Sequence, residues 1–152
     1  MNEDFLHYIW KFQHFNPSNL ETTDGETLEV LKVGLHNLHS GPDFFNGQVR
    51  LGSTRWAGNI EIHTKSSDWS LHKHQDDEVY DKVILHVVWE DDQPVHRKSG
   101  AKIPTLELKG RVKKRLLSRY EDLTQNSKWI PCESEMPSID PLLKRQLIDQ
   151  KL

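Results

Sequence analysis

Residues 42–65 read PDFFNGQVRLGSTRWAGNIEIHTK. Two extended runs, Phe44 to Leu51 and Arg55 to Lys65, flank Gly52-Ser53, a pair suited to a hairpin turn. Side chains of a strand alternate between its faces. In the second run Trp56, Gly58, Ile60 and Ile62 share one face, which suits a core. Ala57, Asn59, Glu61, His63 and Lys65 share the other. Asp43 opens the first run, directly after Pro42. A hairpin makes the two strands neighbours and carries Asp43 towards Glu61.

Working outward, Phe5 to Phe15 predicts a helix, with Phe5, Ile9 and Phe12 at helical spacing and Leu6 and Trp10 beside them. Asn16-Pro17-Ser18-Asn19 ends it, and Asp24-Gly25 marks a tight turn. Thr27 to Val33 alternates as a strand. Ser66 to Lys82 is polar and is expected to turn helical near Gln75. Val83 to Trp89 is the most apolar run; it lacks helical length and reads as a central buried strand. A short strand, Ile103 to Leu108, and a basic helix, Gly110 to Leu123, follow. Asp140 to Leu152 reads as a helix without a stop signal, so the chain is expected to continue in a longer protein. The expected fold class is α/β (α+β), with a mixed central sheet flanked by helices and further C-terminal helices. The expected division is a core over 1–108 and a helical extension over 109–152.

The 152 residues suffice for one buried core. The apolar fraction is only 35%, but five Trp, five Phe and three Tyr compensate by burying large areas. A net charge of −3 argues against a general nucleic-acid coat and leaves room for a carboxylate metal site. Cys132 is the one cysteine; an internal disulfide and a Cys-rich zinc site are excluded, and a reducing cytoplasm is expected. The N-terminal residues carry no basic or apolar leader pattern, and no apolar run is long enough for a membrane span. The sequence leaves oligomeric state open.

Two converging carboxylates repel unless a cation or proton lies between them. Asp43 and Glu61 are therefore candidate ligands for Mg²⁺ or Mn²⁺, with His63 or Lys65 placed to orient water or offset developing charge. The alternative is structural: Asp43 caps a turn, and Glu61 and His63 face solvent on a half-exposed sheet. Pro42-Asp43 followed by Glu61-Ile62-His63 resembles the PD-(D/E)XK signature of restriction-endonuclease-like nucleases, whose αβββαβ core matches the element order from Phe5 to Trp89. The resemblance implies a metal-dependent nuclease with Asp43 and Glu61 on the metal. His63 stands where that superfamily has Lys, so the site is degenerate, and Lys65 is the candidate substitute. The other reading is a catalytically silent nucleic-acid-binding or assembly domain on the same fold. The segments 41–46, 59–63, 67–69 and 80–88 also resemble an uncharacterised bacterial family, a domain of unknown function found in longer proteins.

His72, His74, Asp77 and Tyr80 form a second tier, for water positioning or phosphate contact. His63, His72 and His74 are also a candidate set for a transition metal such as Zn or Mn, since imidazole suits both. His86, within an apolar strand, is expected to be a hydrogen-bonded core residue, and Trp69 a packing residue. The cations Lys109, Arg111, Lys113, Lys114, Arg115 and Arg119 are read as a solvated face ahead of a nucleic-acid contact.

Overall fold

Asn2 caps the first helix, α1 (Glu3–Lys11), by accepting the Phe5 N–H at 3.0 Å, and Glu3 and Asp4 favour its positive end. The computed structural model describes residues 2–125 in this way. Phe5, Leu6, Ile9 and Trp10 are buried, whereas Phe12 is exposed. The helix ends at Lys11, short of the expected Phe15, because Gln13 takes a left-handed conformation (φ 52°).

Six strands follow: β1 (Leu28–Lys32), β2 (Leu35–His36), β3 (Phe44–Leu51), β4 (Thr54–Lys65), β5 (Val83–Glu90) and β6 (Thr105–Glu107). They form one mixed sheet in the order β1-β3-β4-β5-β6. β1 and β2 both pair with β3 on the edge away from β4 and act as one interrupted strand. Gly34 makes the interruption: it has φ +95°, and a Cβ there would lie 2.8 Å from the Phe45 carbonyl oxygen. β3 and β4 form the expected antiparallel hairpin through Gly52-Ser53. β4 and β5 run parallel, as do β5 and β6, and so need crossover connections. β5 lies between β4 and β6, which agrees with its continuous apolar run.

The β4–β5 crossover departs from expectation. Residues 66–82 form a single helical turn, α2 (Asp68–Leu71), then short 3-10 helices at His74–Asp76 and Glu78–Lys82, so the chain does turn helical near Gln75 but without a continuous α-helix. Lys73, left-handed at φ 59°, and extended Asp77 break the chain between these turns. The segment is instead tied down by distant groups. Ser66 Oγ donates to Asp92 and accepts the N–H groups of Asp92 and Gln93, while the Ser67 hydroxyl and N–H bind the same carboxylate.

β4 also departs from a half-exposed strand. Trp56, expected in the core, is 48% exposed, while Ile60, Glu61, Ile62 and His63 are all buried, so both faces are covered there. Trp69 of α2 is buried with Val83, Val95 and Ile103 and lies 5.5 Å from His86, ring to ring.

A compact unit spans Met1–Lys113 and runs past the expected core boundary at Leu108; a second begins at Lys114. Within the second, α3 (Lys114–Gln125) is the expected basic helix, with Leu116, Leu117 and Tyr120 half-buried. Cys132 and the helix expected over 140–152 lie outside the described residues. Among the described residues, no helix is long and apolar enough to cross a membrane.

Candidate metal centre

The hairpin and its parallel neighbour bring Asp43, Glu61 and His63 into one polar cluster within an otherwise apolar layer. Asp43 and Glu61 lock each other through the backbone. The Asp43 N–H donates to Glu61 Oε2 at 3.2 Å, and the Ile62 N–H donates to Asp43 Oδ2 at 2.9 Å. Asp43 Oδ2 also lies 3.3 Å from His7 Nε2, so α1 contributes to the site. The other Glu61 oxygen, Oε1, lies 3.2 Å from His74 Nε2 and 3.6 Å from His63 Nε2. His63 Nε2 is 3.2 Å from His72 Nδ1, and His63 Nδ1 is 2.8 Å from His86 Nε2. Tyr80 stacks on His74 with ring centroids 3.8 Å apart.

The alternative of a solvent-facing Glu61 and His63 is thereby excluded, since their exposures are 4% and 2%. Burial dictates the electrostatics. Desolvation, with the Asp43 carboxylate adding to it, pushes Glu61 up to about 9. Desolvation, reinforced by neighbouring imidazoles, lowers His63 to about 2, and burial with His74 lowers His86 to about 3. Burial also lowers His74. His7 is raised: burial opposes its charge, but the hydrogen bond and charge of Asp43 outweigh that. Burial, with Glu61 and Asp43, raises Tyr80 to about 12, so it stays a neutral phenol.

Neutral imidazoles are the form that binds a metal. The ligand atoms of His63, His72 and His74 all lie within 4.8 Å of one another. His63 Nε2 and His72 Nδ1, 3.2 Å apart, are near the donor–donor edge of roughly 3.3 Å implied by tetrahedral metal–nitrogen bonds of about 2.0–2.1 Å, and Glu61 Oε1, 3.6 Å from His63 and 3.2 Å from His74, stands beside the imidazole set. Three imidazole nitrogens suit a transition metal better than Mg²⁺, which prefers oxygen throughout. Asp43 lies outside the imidazole set, engaged with Ile62 and His7.

Of the remaining candidates, Lys65 is exposed at the end of β4, where its charge acts on its register partner Glu90. Asp77 is also exposed and caps a 3-10 turn by accepting the Val79 N–H. Neither joins the cluster. His86 is buried and hydrogen-bonded as expected, but its partner is His63. His7 carried no signal beyond its place on an amphipathic helix.

A model of the family described as "Protein of unknown function (DUF2851)" matches residues 3–152. The chain belongs to that family. No curated protein and no solved structure matches it. The DUF2851 model covers the whole cluster, from His7 to His86.

Proposed function

We propose that this DUF2851 member is a metal-dependent phosphodiesterase of nuclease type, with a transition metal held by His63, His72 and His74 and the Glu61 carboxyl beside it. The convergence of the three imidazoles carries the reading, with Glu61 Oε1 beside two of them. Supporting it are the motif Pro42-Asp43…Glu61-Ile62-His63 and the helix–strands–helix–strand order, which resemble the PD-(D/E)XK core with His63 in the lysine position. A bound metal supplies Lewis acidity towards a phosphoryl oxygen and towards water. The chain's own groups do the rest. His86 orients the His63 ring, Tyr80 holds the His74 ring, and Asp43 with His7 fixes Glu61 through the Asp43 N–H. Exposed His72 lies on the solvent side, so phosphate approaches there.

The test is metal analysis of the purified chain, followed by cleavage of plasmid and single-stranded DNA with Zn²⁺, Mn²⁺ or Mg²⁺. About one bound metal per chain is expected, lost in His63→Ala, with cleavage abolished in Glu61→Ala. Absence of metal binding, or full cleavage by Glu61→Ala, overturns the reading. A Mg²⁺ site on Asp43 and Glu61 would instead give Mg²⁺-dependent cleavage that His72→Ala spares. A second reading, a silent binding or assembly domain, is favoured by the absence of Lys65 from the cluster and by the backbone hydrogen bonds that occupy both carboxylates. It predicts nucleic-acid affinity without turnover.

A further inference from the structure

β4 is longer than its parallel neighbour. Its twelve residues begin at Thr54, but pairing with β5 starts only at Asn59. The resulting notch in the sheet is a cleft of about 710 Å³. Trp56, Gln48, Asn59, Lys32, Lys82 and Arg97 give it its chemistry. Trp56 is 48% exposed, although burying an indole is a large gain for a folded protein. The lining carries Lys32, Lys82 and Arg97 against Asp81 alone, in a chain whose net charge is −3. Local charge thus opposes the overall sign. Lys32 and Lys82 are exposed and form no ion pair with a described residue. Arg97 is fixed in place by donating to the Val83 carbonyl at 2.7 Å.

An accessible aromatic face, side-chain amides and separated cations match a nucleotide strand: base, base edge and phosphate. We propose that this cleft binds single-stranded nucleic acid, with a base stacked on Trp56 and flanking phosphates on Lys32 and Lys82. A duplex keeps its bases stacked on each other and offers none to Trp56, whereas a single strand does. Asn59 shares the Glu61 face of β4, two positions away, and strands rise about 3.3 Å per residue. Asn59 thus carries the cleft lining to within two residues of Glu61 along one strand. The inference supplies a substrate class to the phosphodiesterase reading and rests on it for the reaction; binding itself does not need the metal.

The experiment uses the full chain in EDTA. Fluorescence anisotropy follows fluorescein-labelled ten-residue oligo-dT and oligo-U, with labelled duplex DNA and a labelled neutral oligosaccharide as competing classes. Both single strands are expected to bind, more tightly than the duplex. Trp56→Ala is expected to weaken binding about 5- to 150-fold, and Trp56→Phe far less, because stacking is worth ~1–3 kcal/mol per base. Replacing Lys32 and Lys82 together by Ala should lower the slope of log affinity against log salt by about 1.4, since each phosphate contact on a single strand contributes about 0.7. Equal affinity in Trp56→Ala, preference for the duplex or the oligosaccharide, or no strand binding overturns the proposal. Strand binding without any metal binding overturns the metal centre alone; metal binding without strand binding overturns the cleft alone.

Discussion

At the scale of single residues, His86 shows how the cluster departs from an ordinary core. For His63 to offer Nε2 as a lone pair, its proton must sit on Nδ1 and be donated to His86 Nε2. That leaves the His86 proton on Nδ1, a buried atom with no partner among the described residues. Such a group costs on the order of 1–3 kcal/mol, so the fold bears a stability cost to keep an imidazole behind His63. Titration makes this measurable. His63 and His86, lowered to about 2 and about 3, stay neutral when folded but take up protons below 6.5 when unfolded, so stability falls as pH drops through that range. Glu61, raised to about 9, holds a proton when folded that the unfolded chain releases above 4.5, so it removes stability as pH rises. The two slopes cancel near pH 6.5, where two half-protonated unfolded imidazoles balance one folded carboxyl. The metal-free protein is expected to be most stable there, and less so by about 1 kcal/mol at both pH 5 and pH 8. In Glu61→Gln the alkaline fall should vanish, leaving a rise of about 4 kcal/mol from pH 5 to pH 8. Urea denaturation in EDTA across that range checks it, and an unchanged dome in Glu61→Gln overturns the assignment. Asp43, Glu61, His63, His72, His74 and Tyr80 were legible in the sequence because motif and local spacing pick them out. His7 and the His86–His63 contact were not, because both depend on which strand or helix packs beside which.

At the scale of elements, the close approach of β4 and β5 depends on Gly58. A Cβ there would lie 2.4 Å from Ile84 Cγ2 and 2.5 Å from the Lys82 carbonyl oxygen. The carbonyl belongs to the backbone and cannot swing aside, so a side chain must separate the strands at the start of their pairing. Gly58→Ala is expected to lose about 1–3 kcal/mol in chemical denaturation, the usual cost of overpacking. It should also weaken metal binding, because β5 carries His86. A Gly58→Ala protein as stable as the wild type would contradict this packing. The same elements show what pattern reading reaches. β3, β4 and β5 were visible because alternation, a turn pair and an apolar run are local signals. The form of 66–82 was not, because Ser66 and Ser67 are held by Asp92, far along the chain. For the same reason the polar face of β4 read as half-exposed: its cover, Trp69 with the His74 turn, comes from a segment whose own pattern is weak.

For the molecule as a whole, the residues after β6 decide where the first unit ends. Leu108 and Lys109 donate backbone N–H groups to Val88 and Trp89, and the Lys109 ammonium pairs with Glu90. Arg111 donates to the carbonyls of Ser18 and Asn19, while its own carbonyl accepts the Asn16 N–H at 2.9 Å. Val112 is 6% exposed. This short strap ties the end of the sheet to the loop that follows α1. A composition reading places the boundary at Leu108, since the cations that begin at Lys109 look like the start of a basic helix. The contacts assign 109–113 to the first unit instead, with α3 beginning only at Lys114. Removing the strap should cost one buried valine, about 1.5–3 kcal/mol, and several partly exposed hydrogen bonds at about 0.5–1.5 kcal/mol each. A fragment of residues 1–113 is therefore expected to fold and bind the same metal complement as the full chain. A fragment of residues 1–108 should be less stable by about 4–9 kcal/mol. Thermal and urea denaturation of the two fragments, with metal content measured on each, decides the point. Equal stability would show that the strap is incidental. Loss of metal from the 1–113 fragment would show that the centre needs residues beyond Lys113.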